Sequence, residues 1–136
     1  MVNRMNGLLP DSYPILLSEI KNRIRKAQYE AFKAVNKELI ALYRDIGRMI
    51  VERQQEASRG ESVVENLAKD LQAEFPGIQG FSARNIWRMR DFYLTYRSNE
   101  KLTPLVSEIG WSHNLIILQK YKDDLEREFY IRMARK

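Results

Sequence analysis

The sequence predicts an all-α fold, in which one long amino-terminal helix is followed by shorter helices. Apolar residues in the first third of the chain recur every three or four positions, which is the spacing of one helix face. No segment shows the alternation of apolar and polar residues that is typical of a half-buried strand. The 136 residues include only six Gly and four Pro, too few for a disordered chain. We therefore expect a single helical domain over residues 1–136.

The first predicted helix covers residues 11–57. Its apolar positions lie about 3.6 residues apart on average, which is the helical repeat. They are Ile20, Ile24, Ala27, Ala31, Val35, Leu39, Leu42, Ile46 and Met49. A helix of about 65 Å is longer than the globule that the remaining residues can form, so it must fold back or pair with a second chain. We favour a homodimer. Its predicted interface consists of Ile24, Ala31, Val35 and Leu39.

Residues 62–97 predict two helices joined by a turn, as in a helix-turn-helix unit. Ser62 begins a capping-box pattern, Pro76 and Gly77 end the first helix, and Ser82 caps the second.

Further helices are predicted over residues 103–136, with starts at Thr103, Ser112 and Asp123. The apolar side of the last helix is predicted at Leu125, Phe129 and Met133. This helix still continues at the end of the chain without a stop signal, which we interpret as the mark of a fragment of a longer protein.

The second helix of residues 62–97 is rich in arginine, which favours nucleic-acid binding. In helix-turn-helix proteins the first residues of the second helix reach base edges in the major groove. Arg can bond to guanine and Asn to adenine, while a serine and free helix amides can hold a phosphate. The predicted DNA-binding residues are Ser82, Arg84, Asn85, Arg88 and Arg90. Because the turn over residues 76–81 is longer than usual, an ordinary solvated arginine face is the alternative interpretation.

A second basic run lies on the long helix, where Lys21, Arg25 and Lys26 are predicted phosphate contacts. Neutralising phosphates releases counterions and so favours binding. The flanking Glu19 and Glu30 also fit an ordinary solvated helix face.

Composition excludes several classes of site. The chain has no Cys and one His, so disulfides, thiolate nucleophiles, Cys-based zinc sites and multi-His clusters are excluded, and we expect no metal and no cofactor. The longest aliphatic run, residues 115–118, is too short to span a bilayer. Without an apolar signal segment near the amino terminus, we expect a cytoplasmic protein that does not bind membranes.

One catalytic motif is present by chance. Asp11, Glu19 and Lys21 match the letters of the PD-(D/E)XK nuclease signature. That chemistry needs carboxylates that converge on Mg²⁺, whereas residues two apart on a helix point about 200° apart. We therefore expect no catalytic residues and no enzyme activity in this chain.

Several long runs resemble the amino-terminal domain of bacterial YhcG-type proteins. They are KAVNKELI at 33–40, YRDIGRMI at 43–50 and GFSARNIWRMR at 80–90, with shorter runs at 99–102, 111–114 and 122–130. The resemblance implies a helical, helix-turn-helix-like DNA binder that precedes a PD-(D/E)XK nuclease-like domain, and this chain stops before such a domain could begin. Our functional hypothesis is a non-enzymatic DNA-binding module for that missing domain. The alternative is a homo-oligomerisation or protein-interaction module, with a restriction or defence component as its partner.

Overall fold

The described residues form six α-helices and no strand, which confirms the predicted all-α fold. The structure is a computed structural model that describes residues 10–56 and 60–135, so residues 1–9, the predicted helix end at residue 57, and residue 136 lie outside it. The helices are α1 Tyr13–Glu56, α2 Gly60–Glu74, α3 Ala83–Tyr96, α4 Thr103–Val106, α5 Trp111–Lys120 and α6 Asp124–Ala134. The chain divides into two compact units, Met1–Val35 and Asn36–Lys136.

The first unit is described from residue 10 and consists of the amino-terminal part of α1. Every side chain from residue 10 to residue 35 is exposed, including large apolar ones such as Ile24 and Phe32. Since isolated helices are only marginally stable in water, apolar residues on such a helix usually stabilise it by packing against something else.

The second unit has a core made of two apolar clusters that share α3. Ile86 and Met89 of α3 belong to the cluster that includes Tyr43 of α1 and Val64 of α2. Phe92 of α3 belongs to the cluster formed with α4, α5 and α6. The partly buried Trp111 packs against both clusters. Helix α3 is therefore the central element of this unit, and its buried face is fixed from several sides.

The second half of α1 buries a different face from the one predicted. Ile40, Tyr43 and Ile50 are buried, whereas Leu42 is 45% exposed and Met49 is 53% exposed. Of the predicted row, Ile46 is partly buried and packs against the core. The buried side chains are also spaced three or four residues apart, with Gly47 among them. An added Cβ at Gly47 would collide with the backbone carbonyl of Met89, so only the face that carries this glycine can approach α3 so closely.

Several predicted helix starts are confirmed. Ser82 caps α3, since its hydroxyl accepts a hydrogen bond from the Asn85 amide at 3.1 Å, and Asp123 caps α6 in the same way. Helix α4 begins at Thr103.

Two other predicted starts are wrong. Ser62 lies inside α2, which begins at Gly60. Ser112 lies inside α5, whose N-cap is Gly110. The carbonyl of Gly110 accepts a hydrogen bond from the buried Asn114 side chain at 3.1 Å, which supports the earlier start.

The predicted apolar side of α6 is also wrong, because Leu125, Phe129 and Met133 are all exposed. The core side of α6 carries Ile131 and Arg127 instead. Arg127 can be buried because its Nε donates to the Tyr121 carbonyl at 2.7 Å and its aliphatic stem is apolar.

The close approach at Gly47 is testable. We expect Gly47→Ala to lower the free energy of unfolding by about 2 kcal/mol or more, since overpacking against backbone exceeds the gain in helix propensity. Gly110→Ala is the control, because nothing lies within 4 Å of an added Cβ there, and we expect it to cost less than about 1 kcal/mol. Urea unfolding of both variants measures the difference, and equal losses would contradict the packing described here.

Candidate nucleic-acid interface

Helices α2 and α3 pack against each other and are joined by residues 75–82. This connection is longer than the three or four residues of a typical helix-turn-helix turn. Gln72 of α2 holds it in place by donating to the Phe81 carbonyl at 2.9 Å. Gly80 has φ of +106°, a left-handed conformation that favours glycine, and an added Cβ there would collide with the Tyr43 hydroxyl. The turn is therefore well defined and fixes where α3 begins.

Both polar groups of the Asn85 side chain already form hydrogen bonds within the protein. Its Nδ2 donates to the Gly80 carbonyl at 2.8 Å, and its Oδ1 accepts from the indole N–H of Trp111 at 2.8 Å. A base-reading asparagine needs the same two groups free for adenine. The structure thus places the Asn85 side chain between the turn and α5, where it orients α3.

Arg84 and Arg88 form a row on α3, one helical turn apart. Arg84 is exposed, and Arg88 is half-buried at the edge of the face that carries the buried Met89. Within the part of the chain that the structure describes, neither guanidinium has an ion pair or hydrogen bond. Arg44, by contrast, lies over the Tyr93 ring at 5.4 Å. The two arginines of the row are available to an external anion.

Arg90 lies on another side of α3, about 160° around the helix from Arg88. Its guanidinium lies over the Trp87 ring at 5.5 Å from the centroid and forms an ion pair with Asp91 at 3.2 Å. The structure therefore separates Arg90 from the row that contains Arg84 and Arg88.

An open groove of about 290 Å³ runs beside this row, between α3 and the α5–α6 region. Arg88 and Lys122 are cations on its lining, Leu94 and Leu118 supply apolar surface, and Asp91 is a carboxylate. Lys122 is exposed and makes no ion pair within the described residues. The sequence did not predict Lys122 as a site residue, because only the tertiary packing brings it to α3.

Buried groups behind the groove contribute to the fold of α3. Tyr96 is almost fully buried, and burial raises its pKa to about 12, so its phenol stays neutral at physiological pH. Arg127, which also lines the groove, forms an ion pair with Asp124 at 3.3 Å. Arg88 and Lys122 are therefore the groove cations left for a ligand.

The second predicted basic run lies in the first unit. Lys21, Arg25 and Lys26 are exposed on α1, and none of them makes an ion pair with another described residue. Lys21 and Arg25 are four residues apart and so share one side of the helix. Their contact with phosphates stays a prediction.

The described residues contain no group of three or more His, Cys, Asp or Glu side chains arranged to hold a metal ion. Glu19 and Lys21, the letters of the chance nuclease motif, both lie within α1. Among residues 10–56 and 60–135, no helix is long and apolar enough to cross a membrane.

Comparison with known proteins identifies the family. The model of the DUF1016 N-terminal domain matches residues 19–136. The chain belongs to the DUF1016 N-terminal domain family. It is similar to the Escherichia coli (strain K12) protein named "Putative nuclease YhcG", with 37% identity over a 93-residue alignment that covers 60% of this chain. The chain spans about a quarter of the length of that curated relative. No solved structure matches it.

The different roles of Asn85 and Arg84 can be separated by stability measurements. Asn85→Ala removes two hydrogen bonds and leaves the Trp111 indole without its partner, so we expect the free energy of unfolding to fall by about 1–3 kcal/mol. Arg84→Ala removes an exposed side chain that has no ion pair or hydrogen bond with another described residue, and we expect a change within about 0.5 kcal/mol. Thermal or urea unfolding of both variants provides the comparison, and a neutral Asn85→Ala would mean that the two bonds do not orient α3.

Proposed function

We propose that this chain is a non-enzymatic DNA-binding module, whose exposed arginine row on α3 contacts the phosphates and base edges of a duplex. The observation that supports this most strongly is the pair Arg84 and Arg88. Arg84 is exposed and Arg88 lines an open groove on the second helix of a helix-turn-helix-like pair, and neither is engaged by an acidic residue of the described chain. Guanidinium groups in this state favour bidentate contacts to phosphate and to guanine.

The start of α3 adds to this surface. The first amides of a helix lack intrahelical acceptors, and the helix dipole favours an anion at that end. Ser82 uses its hydroxyl to accept from the Asn85 amide, so in our proposal it shapes the phosphate site while the backbone supplies donors. Lys122 adds a further cation on the groove beside Arg88.

The proposed contacts differ from the first prediction in two positions. Asn85 acts by orienting α3, because both polar groups of its side chain already have partners. Arg90 supports α3 through Trp87 and Asp91 and lies away from the contact row. Lys21, Arg25 and Lys26 remain in the proposal as additional phosphate contacts from the first unit.

The similarity to the protein named "Putative nuclease YhcG" suggests what the DNA binding is for. This chain spans about a quarter of the length of that relative. In our proposal the module brings a PD-(D/E)XK nuclease domain to DNA in the cytoplasm, and this chain contributes no catalytic group of its own. A protein partner from a restriction or defence system stays a prediction.

DNA binding should depend on the row. We expect Arg84→Ala/Arg88→Ala to weaken binding to a random duplex about tenfold or more. The slope of log affinity against log salt should fall by about 1.8, because two phosphate contacts are lost. Fluorescence anisotropy across a salt series measures both quantities.

The matched control is Arg48→Ala/Arg135→Ala. It removes the same net charge, but these two arginines are ion-paired with Glu52 and Glu108. We expect this control to change the affinity less than about threefold, since a general charge effect is small compared with a lost contact. Equal losses in the two double variants would assign the binding to overall charge and contradict the proposed site.

A further inference from the structure

The described part of the first unit carries an unpartnered apolar seam on α1. Its members are spaced alternately four and three residues apart, and they are Tyr13, Leu17, Ile20, Ile24, Ala27, Ala31 and Ala34. This alternation is the heptad pattern of paired helices in a coiled coil. All seven residues are exposed, with Ile20 at 48% and Ile24 at 51%. The seam is therefore complete as a coiled-coil face but lacks its second helix.

We infer that this seam pairs with the same seam of a second copy of the chain, with the two helices antiparallel. The inference concerns the first unit and does not depend on the proposed DNA contacts. Two independent observations support it. Large side chains at one end of the seam match small ones at the other end, and charged residues beside the seam match residues of opposite charge.

Side-chain size selects the antiparallel arrangement. The amino-terminal part of the seam carries large residues and the carboxyl-terminal part carries alanines. In the antiparallel register Ile24 faces Ala27 of the second copy, Ile20 faces its Ala31, and Leu17 faces its Ala34. Each layer then pairs one large and one small side chain, which fills the space between the helices evenly. A parallel pair would stack large on large at one end and Ala on Ala at the other, leaving voids there.

Charge supports the same register. Arg23 and Glu30 flank the seam on one side, each next to a seam residue. In the antiparallel register Arg23 of one copy lies beside Glu30 of the other, and two-fold symmetry repeats this pair. Among the described residues of its own chain, the Glu30 carboxylate forms an ion pair only with the exposed Lys33, at 3.8 Å. An interface between two copies related by a two-fold axis must be complementary to itself. The two ends of this seam complement each other, so the partner that covers it is a second copy of the chain.

The seam refines the interface predicted from the sequence. Ile24 and Ala31 lie in it, and Val35 flanks it. Leu39 belongs to the second unit and lies outside the heptad positions. Phe32 is 80% exposed but lies about 100° around the helix from Ala31, so it stays outside the interface. Exposure alone would select Phe32, whereas the paired-helix geometry selects Ile24, and this difference makes the inference testable.

Light scattering and sedimentation equilibrium of the full chain at tens of micromolar test the pairing. We expect a mass of twice the 16.1 kDa chain. Ile24→Asp places two charges in the centre of the seam and should raise the dimer dissociation constant about 100-fold or more. Phe32→Asp is the matched control and should change it less than about threefold. Urea unfolding verifies that both variants keep the fold of the second unit, to which neither residue belongs.

Disulfide cross-linking tests the orientation, and the chain suits it because it has no Cys. In an antiparallel pair, Ile20→Cys lies opposite Ala31→Cys, so a mixture of the two single variants should form a mixed disulfide. Each variant alone should not cross-link, because its two copies are separated by eleven residues, or about 16 Å along the helix.

Three results would overturn the inference. A monomer at tens of micromolar would remove the second copy as the occupant of the seam. A dimer that survives Ile24→Asp but not Phe32→Asp would place the interface elsewhere on α1. Efficient disulfides within each single Cys variant would show a parallel pair and contradict the assigned register.

Discussion

The hydrogen bond between the Trp111 indole and the Asn85 side chain, 2.8 Å long, links the parts of the second unit. Trp111 contacts both apolar clusters, and its ring lies edge-on to Tyr43 at 4.8 Å and to Phe92 at 5.2 Å. The same Asn85 side chain also donates a hydrogen bond to the Gly80 carbonyl and so connects Trp111 to the turn. Helix α3 therefore cannot rotate without breaking two partly buried hydrogen bonds, whose polar groups are costly to leave unsatisfied. This fixed rotation keeps the proposed contact row on the outside.

The same constraint explains how one helix can hold arginines of different kinds. On α3, the core side carries Ile86, Met89 and Phe92, which leaves Arg84 exposed on the far side and Arg88 half-buried at the edge of the buried face. Arg90 lies on a side where Trp87 and Asp91 engage its guanidinium. An arginine count alone treats the three as equivalent. Their partners divide them into two that are available to an anion and one, Arg90, that contacts Trp87 and Asp91.

The helices could be predicted from the sequence because their periodicity and caps are local signals. Ser82 caps α3 as predicted, α6 begins directly after the predicted start at Asp123, and α1 begins at Tyr13 inside the predicted range. The orientation of the helices could not be predicted in the same way. In the second half of α1 two adjacent rows are apolar, and the choice between Ile40 and Leu39 depends on where α3 can approach Gly47. On α6 a buried arginine stem, Arg127, takes the place of the apolar row that the pattern favoured.

In the candidate site, the arginines of α3 could be predicted from the local sequence, whereas the groove beside them could not. Lys122 reaches α3 only through the packing of α5, and Asn85 is withdrawn from the surface by Trp111, which lies 26 residues further along the chain. Both facts depend on contacts between distant parts of the chain, which single-sequence patterns do not report. The resemblance predicted the amino-terminal domain of the YhcG-type family, and the family match and the similarity to the protein named YhcG confirm it.

The most direct measurement is a ¹⁵N NMR titration with duplex DNA that follows the Nε–H signals of the arginine side chains. If α3 presents its outer row to DNA, the signals of Arg84 and Arg88 should shift most and saturate together. The signals of the ion-paired Arg48 and Arg135 should barely move. Largest shifts at Arg48, Arg135 or α6, with Arg84 and Arg88 unchanged, would contradict DNA binding through the α3 row.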